Sequence, residues 1–218
     1  MTKVNVYVVR HGQTYYNIYN KLQGWSNSPL TEKGIEDANT AGQKLANLSF
    51  AAAYCSDTTR AQQTVQTILN LNESGSVKKA QSTPFFREEF YGYYEGTNMD
   101  EAWYVAGAPH GVPTFKEIVA KYSIGKAKDF LKEADPFHDA ENNDEYWQRL
   151  NQGFQLIRAN KQLHDNDNVL LISHGNTLLS MMERFAGDKY DLSVRPDNGS
   201  VTKMILTGQD VKVEYYNH

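Results

Sequence analysis

The chain has 218 residues, with 22 basic and 26 acidic side chains and a formal net charge of -4 at pH 7. The charges are mixed along the chain without a basic block, which argues against nucleic acid or an anionic membrane surface as a partner. The single cysteine, Cys55, excludes an intrachain disulfide. No segment is apolar enough to predict a signal peptide or a membrane span, so we expect a cytoplasmic protein.

The amino-terminal part of the chain predicts an alternation of strands and helices. Residues 4–9 are almost entirely apolar and end abruptly in Arg10, His11 and Gly12. Such a continuous apolar run is typical of a strand buried on both faces of a sheet. Apolar residues at helical spacing in 31–48 then predict a helix.

A second strand and helix follow. Residues 51–56 are again continuously apolar and predict a strand, and residues 59–71 carry apolar side chains at helical spacing. Arg60 is the second residue of this predicted helix. The second strand therefore ends, like the first, beside a cation.

The middle of the chain, about 97–143, interrupts this alternation. Gly107, Pro109, Gly111 and Pro113 are turn formers, and an acidic polar run follows them. We predict an insertion that is helical over 114–133 and packs over one end of the sheet. The nearby acidic cluster, His138 to Asp144, lacks the glycine and spacing of a calcium loop, so we interpret it as a solvated loop and predict no metal site.

The carboxyl-terminal part returns to the first pattern. It predicts a strand over 169–173, a helix over 176–186 and a hairpin of strands 201–206 and 211–216. The whole alternation predicts an α/β fold. We expect a three-layer α/β/α sandwich around a mostly parallel mixed sheet, in a single domain spanning 1–218.

Polar side chains at the ends of three predicted strands point to one site. Arg10 and His11 follow the first strand, Arg60 follows the second, and His174 with Gly175 follows the third. Ligands of open α/β sheets bind outside the carboxyl ends of the strands. Guanidinium groups bind phosphate in a bidentate manner, and glycine lets the backbone approach a ligand closely. The pattern therefore predicts a phosphate-binding crevice.

Phosphoryl transfer in such a crevice needs a neutral imidazole and an acid. Arg10 and Arg60 disfavour the imidazolium form, so we expect the pKa of His11 to lie below its ordinary value of about 6.5. An acid must protonate the leaving alcohol. Residues 85–96 offer Glu88, Glu89 and Glu95. Spacing alone does not choose among these three carboxyl groups.

Six segments of the chain carry a family resemblance. They are RHGQTYYN (10–17), LQGWSNSPLTEKG (22–34), SDTTRAQQT (56–64), REEFYGYYEG (87–96), ISHGN (172–176) and PDNGSV (196–201). In this order they resemble the motifs of the histidine phosphatase superfamily, also called the phosphoglycerate mutase-like family. The resemblance covers most of the chain and is weakest over the 97–143 insertion.

The resemblance implies a phosphoglycerate mutase-like fold and a role for each matching residue. His11 would be the nucleophile that carries a phosphohistidine intermediate, and Glu88 would be the proton donor. The resemblance thus chooses among the three glutamates. It implies no metal and no cofactor. The catalytic and phosphate-binding set would be Arg10, His11, Asn17, Gln23, Gly24, Arg60, Glu88, His174 and Gly175.

The family contains both phosphatases and mutases, and two features favour a phosphatase. Glu89 stands where the mutases carry an arginine, and residues 97–143 contain lysines but no arginine. We therefore expect a metal-independent phosphomonoesterase that acts on a small phosphorylated metabolite. The alternatives are a phosphoglycerate mutase and, in another class, a catalytically silent phospho-ligand-binding protein. The silent protein would lack His11 or Glu88, and this chain has both.

Overall fold

One sheet forms the centre of the protein, whose computed structural model describes residues 2–218. Its strands are β1 (Lys3–Arg10), β2 (Phe50–Ser56), β3 (Gln81–Thr83), β4 (Asn168–Ser173), β5 (Val201–Thr207) and β6 (Asp210–Tyr215). They lie in the order β3-β2-β4-β1-β5-β6. The first four are parallel, whereas β5 and β6 pair in an antiparallel manner. The predicted mostly parallel mixed sheet is confirmed.

Helices cover both faces of the sheet. They are α1 (Tyr15–Ile18), α2 (Glu32–Leu45), α3 (Thr59–Leu71), α4 (Met99–Gly107), α5 (Phe115–Lys121), α6 (Ile124–Ala134), α7 (Asn143–Arg158) and α8 (Gly175–Ala186). Alternate residues of β1 serve the two faces: Val6 and Val8 pack with α7 and α8, and Val9 packs with α2 and α3. The expected three-layer sandwich is therefore present.

Four elements, α1, β3, α4 and α7, were not predicted from the sequence. Strand β3 has only three residues and is held by pairing with β2, where Tyr54 lies opposite Gln81. Helix α7 begins inside the acidic run that we interpreted as a loop. Asn142 accepts a hydrogen bond from the Glu145 amide, and the Glu145 side chain accepts one from the Asn142 amide. This reciprocal cap starts a helix where composition indicated a loop.

The segment predicted as an insertion contains three helices, α4, α5 and α6, with a small core of their own around Trp103, Ile118 and Leu131. The single predicted helix 114–133 is split at Tyr122, and Ser123 caps the start of α6 by accepting from the Lys126 amide at 2.9 Å. Helix α6 is tied to α8, because the Glu183 carboxylate accepts from the first amides of α6.

No helix within residues 2–218 is long and apolar enough to cross a membrane.

Candidate active site

His11 directly follows β1 at the carboxyl end of the parallel strands. Its side chain is 4% exposed, and its ring Nδ1 lies 2.8 Å from the Gly12 carbonyl oxygen. A carbonyl oxygen only accepts, so Nδ1 carries the hydrogen of the neutral ring and Nε2 keeps its lone pair. Burial, together with the charges of Arg60 and Arg10, holds the pKa of His11 well below its ordinary value. His11 is therefore held as a neutral imidazole with Nε2 available.

This tautomer and protonation state can be measured by NMR. We expect the ring of His11 to remain neutral as the pH falls through 6.5, because burial and two guanidinium charges disfavour the charged form. A titration of ring carbon and proton shifts that found His11 protonated near or above neutrality would contradict this arrangement.

Arg10 and Arg60 supply two buried guanidinium groups. Arg60 is fully buried and donates to the carbonyl oxygens of Gly24 at 2.8 Å and Ser26 at 2.9 Å. Arg10 donates to the carbonyl oxygen of Pro196. Burial lowers the pKa of each to about 10, so both remain cations at neutral pH. Backbone carbonyls orient these groups without neutralising them.

His174, at the end of β4, lies behind His11 rather than on the open surface of the site. The two ring centroids are 5.2 Å apart. Arg60 Nη2 donates to His174 Nδ1 at 3.1 Å, so the neutral ring carries its hydrogen on Nε2, which donates to Ser56 Oγ at 2.8 Å. Burial and the Arg60 charge hold the pKa of His174 well below its ordinary value. Both ring nitrogens are therefore engaged.

The three candidate glutamates have different surroundings. Glu88 lies at the amino terminus of α8, where its carboxylate accepts from the Asn176 amide at 2.7 Å and the Thr177 hydroxyl at 2.8 Å. Glu89 is 1% exposed, and burial raises its pKa to about 8 although Lys128 lies near. Glu95 accepts from successive backbone amides, including that of Trp25 at 2.8 Å. Glu95 thus organises a loop.

A crevice runs between the strand ends and the insertion. It is lined by Arg10, His11, Asn17, Lys21, Leu22, Gln23, Glu88, Tyr91, Met99, Gly175, Asn176 and Arg195. Of the three glutamates, Glu88 alone belongs to this lining. Among the other predicted site residues, Arg60, His174 and Gly24 lie outside it.

Gly24 contributes to the site indirectly. A Cβ atom there would lie 2.0 Å from the Glu89 carbonyl oxygen, so close packing requires the glycine. Gly12 is required for a similar reason. A Cβ atom at position 12 would lie 2.0 Å from the Gly34 carbonyl oxygen, and the Gly12 amide donates to the Thr64 hydroxyl. Close packing against Gly34 therefore requires the glycine at position 12.

Unpaired donors mark the site as one for an anion. Within the described residues 2–218, Arg10 Nε, Gln23 Nε2 and Arg60 Nε are buried without a hydrogen-bond partner. A buried donor without a partner is costly, and a bound acceptor would recover that cost. Two of the three belong to permanent cations. A phosphoryl group has the charge and the acceptor oxygens that these donors require.

Several residues of the crevice were missed by sequence reasoning. Lys21 follows α1, and Arg195 immediately precedes the PDNGSV motif. A second cation was sought at position 89 and in the 97–143 insertion, whereas Lys21 and Arg195 come from other parts of the chain. Tyr91 was also missed; its hydroxyl accepts from Asn176 Nδ2 at 2.9 Å. The only sequence signal for these residues was their closeness along the chain to motifs already identified.

No group of three or more His, Cys, Asp or Glu side chains in the described part of the chain could hold a metal ion. Glu141, a member of the acidic cluster near 138–144, instead pairs with Arg149 at 2.6 Å.

Comparison with known proteins gives concordant matches. The profile of the histidine phosphatase superfamily (branch 1) matches residues 6–110. A solved structure of phosphoglycerate mutase from Bacillus anthracis superposes with a TM-score of 0.90 and 32% identity, covering 99% of this chain and 93% of that chain.

Two curated relatives differ from each other in activity. A 2,3-bisphosphoglycerate-dependent phosphoglycerate mutase 2 from Gloeobacter violaceus is 29% identical over 80% of this chain and 72% of its own length. The fructose-2,6-bisphosphatase TIGAR from Xenopus laevis is 27% identical over 95% of this chain and 88% of its own length. The chain belongs to the histidine phosphatase superfamily, whose matched members are mutases and phosphatases.

Proposed function

We propose that this protein hydrolyses small phosphomonoesters through a phosphohistidine formed on His11. The observation that carries the proposal is the state of His11: a buried neutral imidazole with Nδ1 held by Gly12 and Nε2 available beside two guanidinium groups. Nucleophile, cations and carboxyl group are all side chains of this chain, so the proposed reaction needs no metal ion or cofactor.

In the first step, His11 Nε2 attacks phosphorus and the bond from phosphorus to the ester oxygen breaks. The protonated carboxyl group of Glu88 gives its proton to the leaving alcohol oxygen. Arg10 and Arg60 balance the negative charge on the phosphoryl oxygens as the transition state forms. Gln23 Nε2, a buried donor without a partner among the described residues, is a further candidate donor to these oxygens.

In the second step, water attacks the phosphohistidine. The Glu88 carboxylate takes a proton from the water as its oxygen bonds to phosphorus, the bond from phosphorus to Nε2 breaks, and inorganic phosphate leaves. Asn17, at the crevice wall, and Gly175, at the start of α8, belong to the proposed phosphate site. His174 acts from behind, by orienting Arg60 through the bond to Nδ1.

The protein is also proposed to act in the cytoplasm, as a single domain spanning 1–218 in which the 97–143 insertion covers the crevice. The mixed charge and the one buried cysteine support this location. The contacts between α6 and α8 support the placement of the insertion over the site.

Phosphoglycerate mutase activity is a second candidate, favoured by one specific observation. Lys21 and Arg195 line the crevice together with Arg10, so a second anionic group would find cations there. Against mutase activity, Glu89 is buried outside the crevice lining, so position 89 provides no cation for a second anionic group. The helices of the insertion contribute Met99 to the crevice and no charged group. These facts support hydrolysis over transfer.

Two assays run side by side separate these candidates. Metabolite phosphomonoesters are screened for release of inorganic phosphate, and 3-phosphoglycerate is followed for isomerisation to 2-phosphoglycerate. We expect net phosphate release from some of the esters, with isomerisation slower than the best hydrolysis. Isomerisation faster than every hydrolysis would assign the mutase instead. If neither reaction is detected although phosphate esters still bind, the protein is a silent binding protein.

A further inference from the structure

We propose that the alcohol half of the substrate lies in an apolar cleft beside the crevice, and that the favoured substrates are phosphomonoesters of alcohols carrying a flat aromatic group. This names the substrate class of the hydrolase proposed above and rests on that function for its kinetic test. The cleft lies between α4, the start of α5 and the segment that carries Arg195.

The cleft has the size and lining of a small-molecule site. Its volume is about 510 Å³, and the lining includes Met99, Trp103, Tyr104, Pro113 and Phe115. Ligand pockets in proteins are typically a few hundred Å³ or more and are lined mainly by apolar and aromatic side chains. The cleft therefore suits an apolar group better than a hydrated sugar.

The cleft is continuous with the phosphate site. Met99 and Arg195 line both the cleft and the crevice. The crevice itself has a volume of only about 30 Å³, so it accommodates no more than a small group. An ester whose phosphoryl group is at His11 must place its alcohol outside the crevice. The neighbouring cleft is the space that shares walls with it.

Aromatic faces in the cleft are held rigidly. The rings of Trp103 and Phe115 are 4.8 Å apart between centroids, and Arg195 Cζ lies 5.2 Å from the Phe115 centroid. Arg195 Nε donates to Asn176 Oδ1 at 3.1 Å, which fixes the guanidinium plane. Guanidinium and aromatic faces both attract a planar ring by stacking and cation–π contacts. A flat aromatic group is therefore favoured over a flexible chain of equal size.

Charge in the cleft argues against a second anion as its occupant. Asp100 and Arg195 both line the cleft, so its lining carries no net formal charge. The remaining lining is mostly apolar. A second phosphate or carboxylate would lose water there without gaining an unopposed cation. The neutral aromatic alcohol is the occupant that fits both the lining and the charge.

The test compares two esters whose leaving alcohols are alike. Both 2-phenylethyl phosphate and ethyl phosphate release a primary alkyl alcohol, so the chemical step differs little between them. We expect kcat/KM to be about tenfold or more higher for the phenylethyl ester, since burial of an apolar group is commonly worth that factor. Equal values of kcat/KM would overturn the proposal.

Variants at Tyr104 locate the effect in the cleft. Tyr104 is 59% exposed, so its truncation should not disturb the core. We expect Tyr104→Ala to lower the ratio of the two kcat/KM values by about threefold and Tyr104→Phe to restore it. Phe137→Ala, which removes an aromatic ring that is 67% exposed and outside the cleft, is the matched control and should keep the wild-type ratio. If the ratio for Tyr104→Ala equals that of wild type, the phenyl ring of the substrate does not bind in the cleft and the proposal fails.

A binding measurement separates this proposal from the hydrolase proposal. Dissociation constants of 2-phenylethylphosphonate and ethylphosphonate, which have no ester bond to break, are measured by calorimetry. Tighter binding of the phenylethyl compound, weakened in Tyr104→Ala, supports the cleft even if no ester is hydrolysed. Equal binding of the two compounds overturns it even if hydrolysis is fast.

Discussion

Replacing His11 by alanine is expected to abolish phosphate release, with kcat/KM lower by about four orders of magnitude or more, as happens when an enzyme loses its nucleophile. The reason is that no other imidazole can take its place. His174, the nearest other histidine ring, has its Nδ1 bonded to Arg60 and its Nε2 bonded to Ser56. Rates of phosphate release from one ester, measured for both proteins, give the comparison.

The matched control for this substitution is His164→Ala. His164 has a side chain that is 82% exposed and lies outside the crevice, so its loss should leave the rate unchanged. Because His11 is buried, thermal unfolding and calorimetric binding of inorganic phosphate should confirm that the variant is folded. A folded His11→Ala protein that keeps more than about a tenth of the activity would rule out the nucleophile assignment.

Substituting glutamine for Glu88 is expected to lower kcat by about 10²- to 10⁴-fold for an alkyl phosphate, the usual contribution of a general acid. The loss should be smaller for the first step with 4-nitrophenyl phosphate, because a phenolate is a good leaving group without a proton. Glutamine keeps the shape of the side chain and an oxygen to accept from the Asn176 amide. Single-turnover release of alcohol and of nitrophenol measures the two losses.

Glu101→Gln, an exposed change on α4, is the control for loss of one carboxylate. It should not change either rate. If Glu88→Gln lowered the first step equally for both esters, then Glu88 would act by charge or position and not by giving a proton to the leaving group.

The sequence predicted best the residues that immediately follow buried strands. Arg10 ends β1, His11 follows it, and His174 follows β4, so the register of the strands alone places them at one edge of the sheet. The apolar runs that predict these strands are long and unambiguous. The antiparallel pair β5 and β6 was also predicted, from two apolar runs and the turn between them.

Residues outside regular elements could not be placed in this way. Glu88, Glu89 and Glu95 lie within a few positions of one another, yet one lines the crevice, one is buried and one holds a loop. The three glutamates differ in burial and in the backbone groups that they bind. Neither property follows a periodic pattern in the sequence. The motif resemblance selected Glu88 because the position of a residue in a family motif corresponds to a position in the fold.

Arg195 shows a different limit. It is far along the chain from Met99, and a loop carries it to the cleft, so no local pattern joins the two. Helix α7 was missed for a local reason, since an acidic composition concealed an Asn142–Glu145 capping pair. The reciprocal bonds of that pair depend on the backbone geometry at the start of the helix.

The central claim is that a phosphoryl group is transferred to His11, and trapping the enzyme during turnover tests it most directly. Wild-type protein and Glu88→Gln are mixed with 4-nitrophenyl phosphate and quenched in alkali, which preserves phosphohistidine, and the modified peptide is identified by mass spectrometry. We predict one phosphoryl group on the peptide that contains His11, accumulating further in Glu88→Gln because water activation is impaired. Phosphate release without a phosphorylated enzyme at any time, or a phosphoryl group on another residue, would contradict the account.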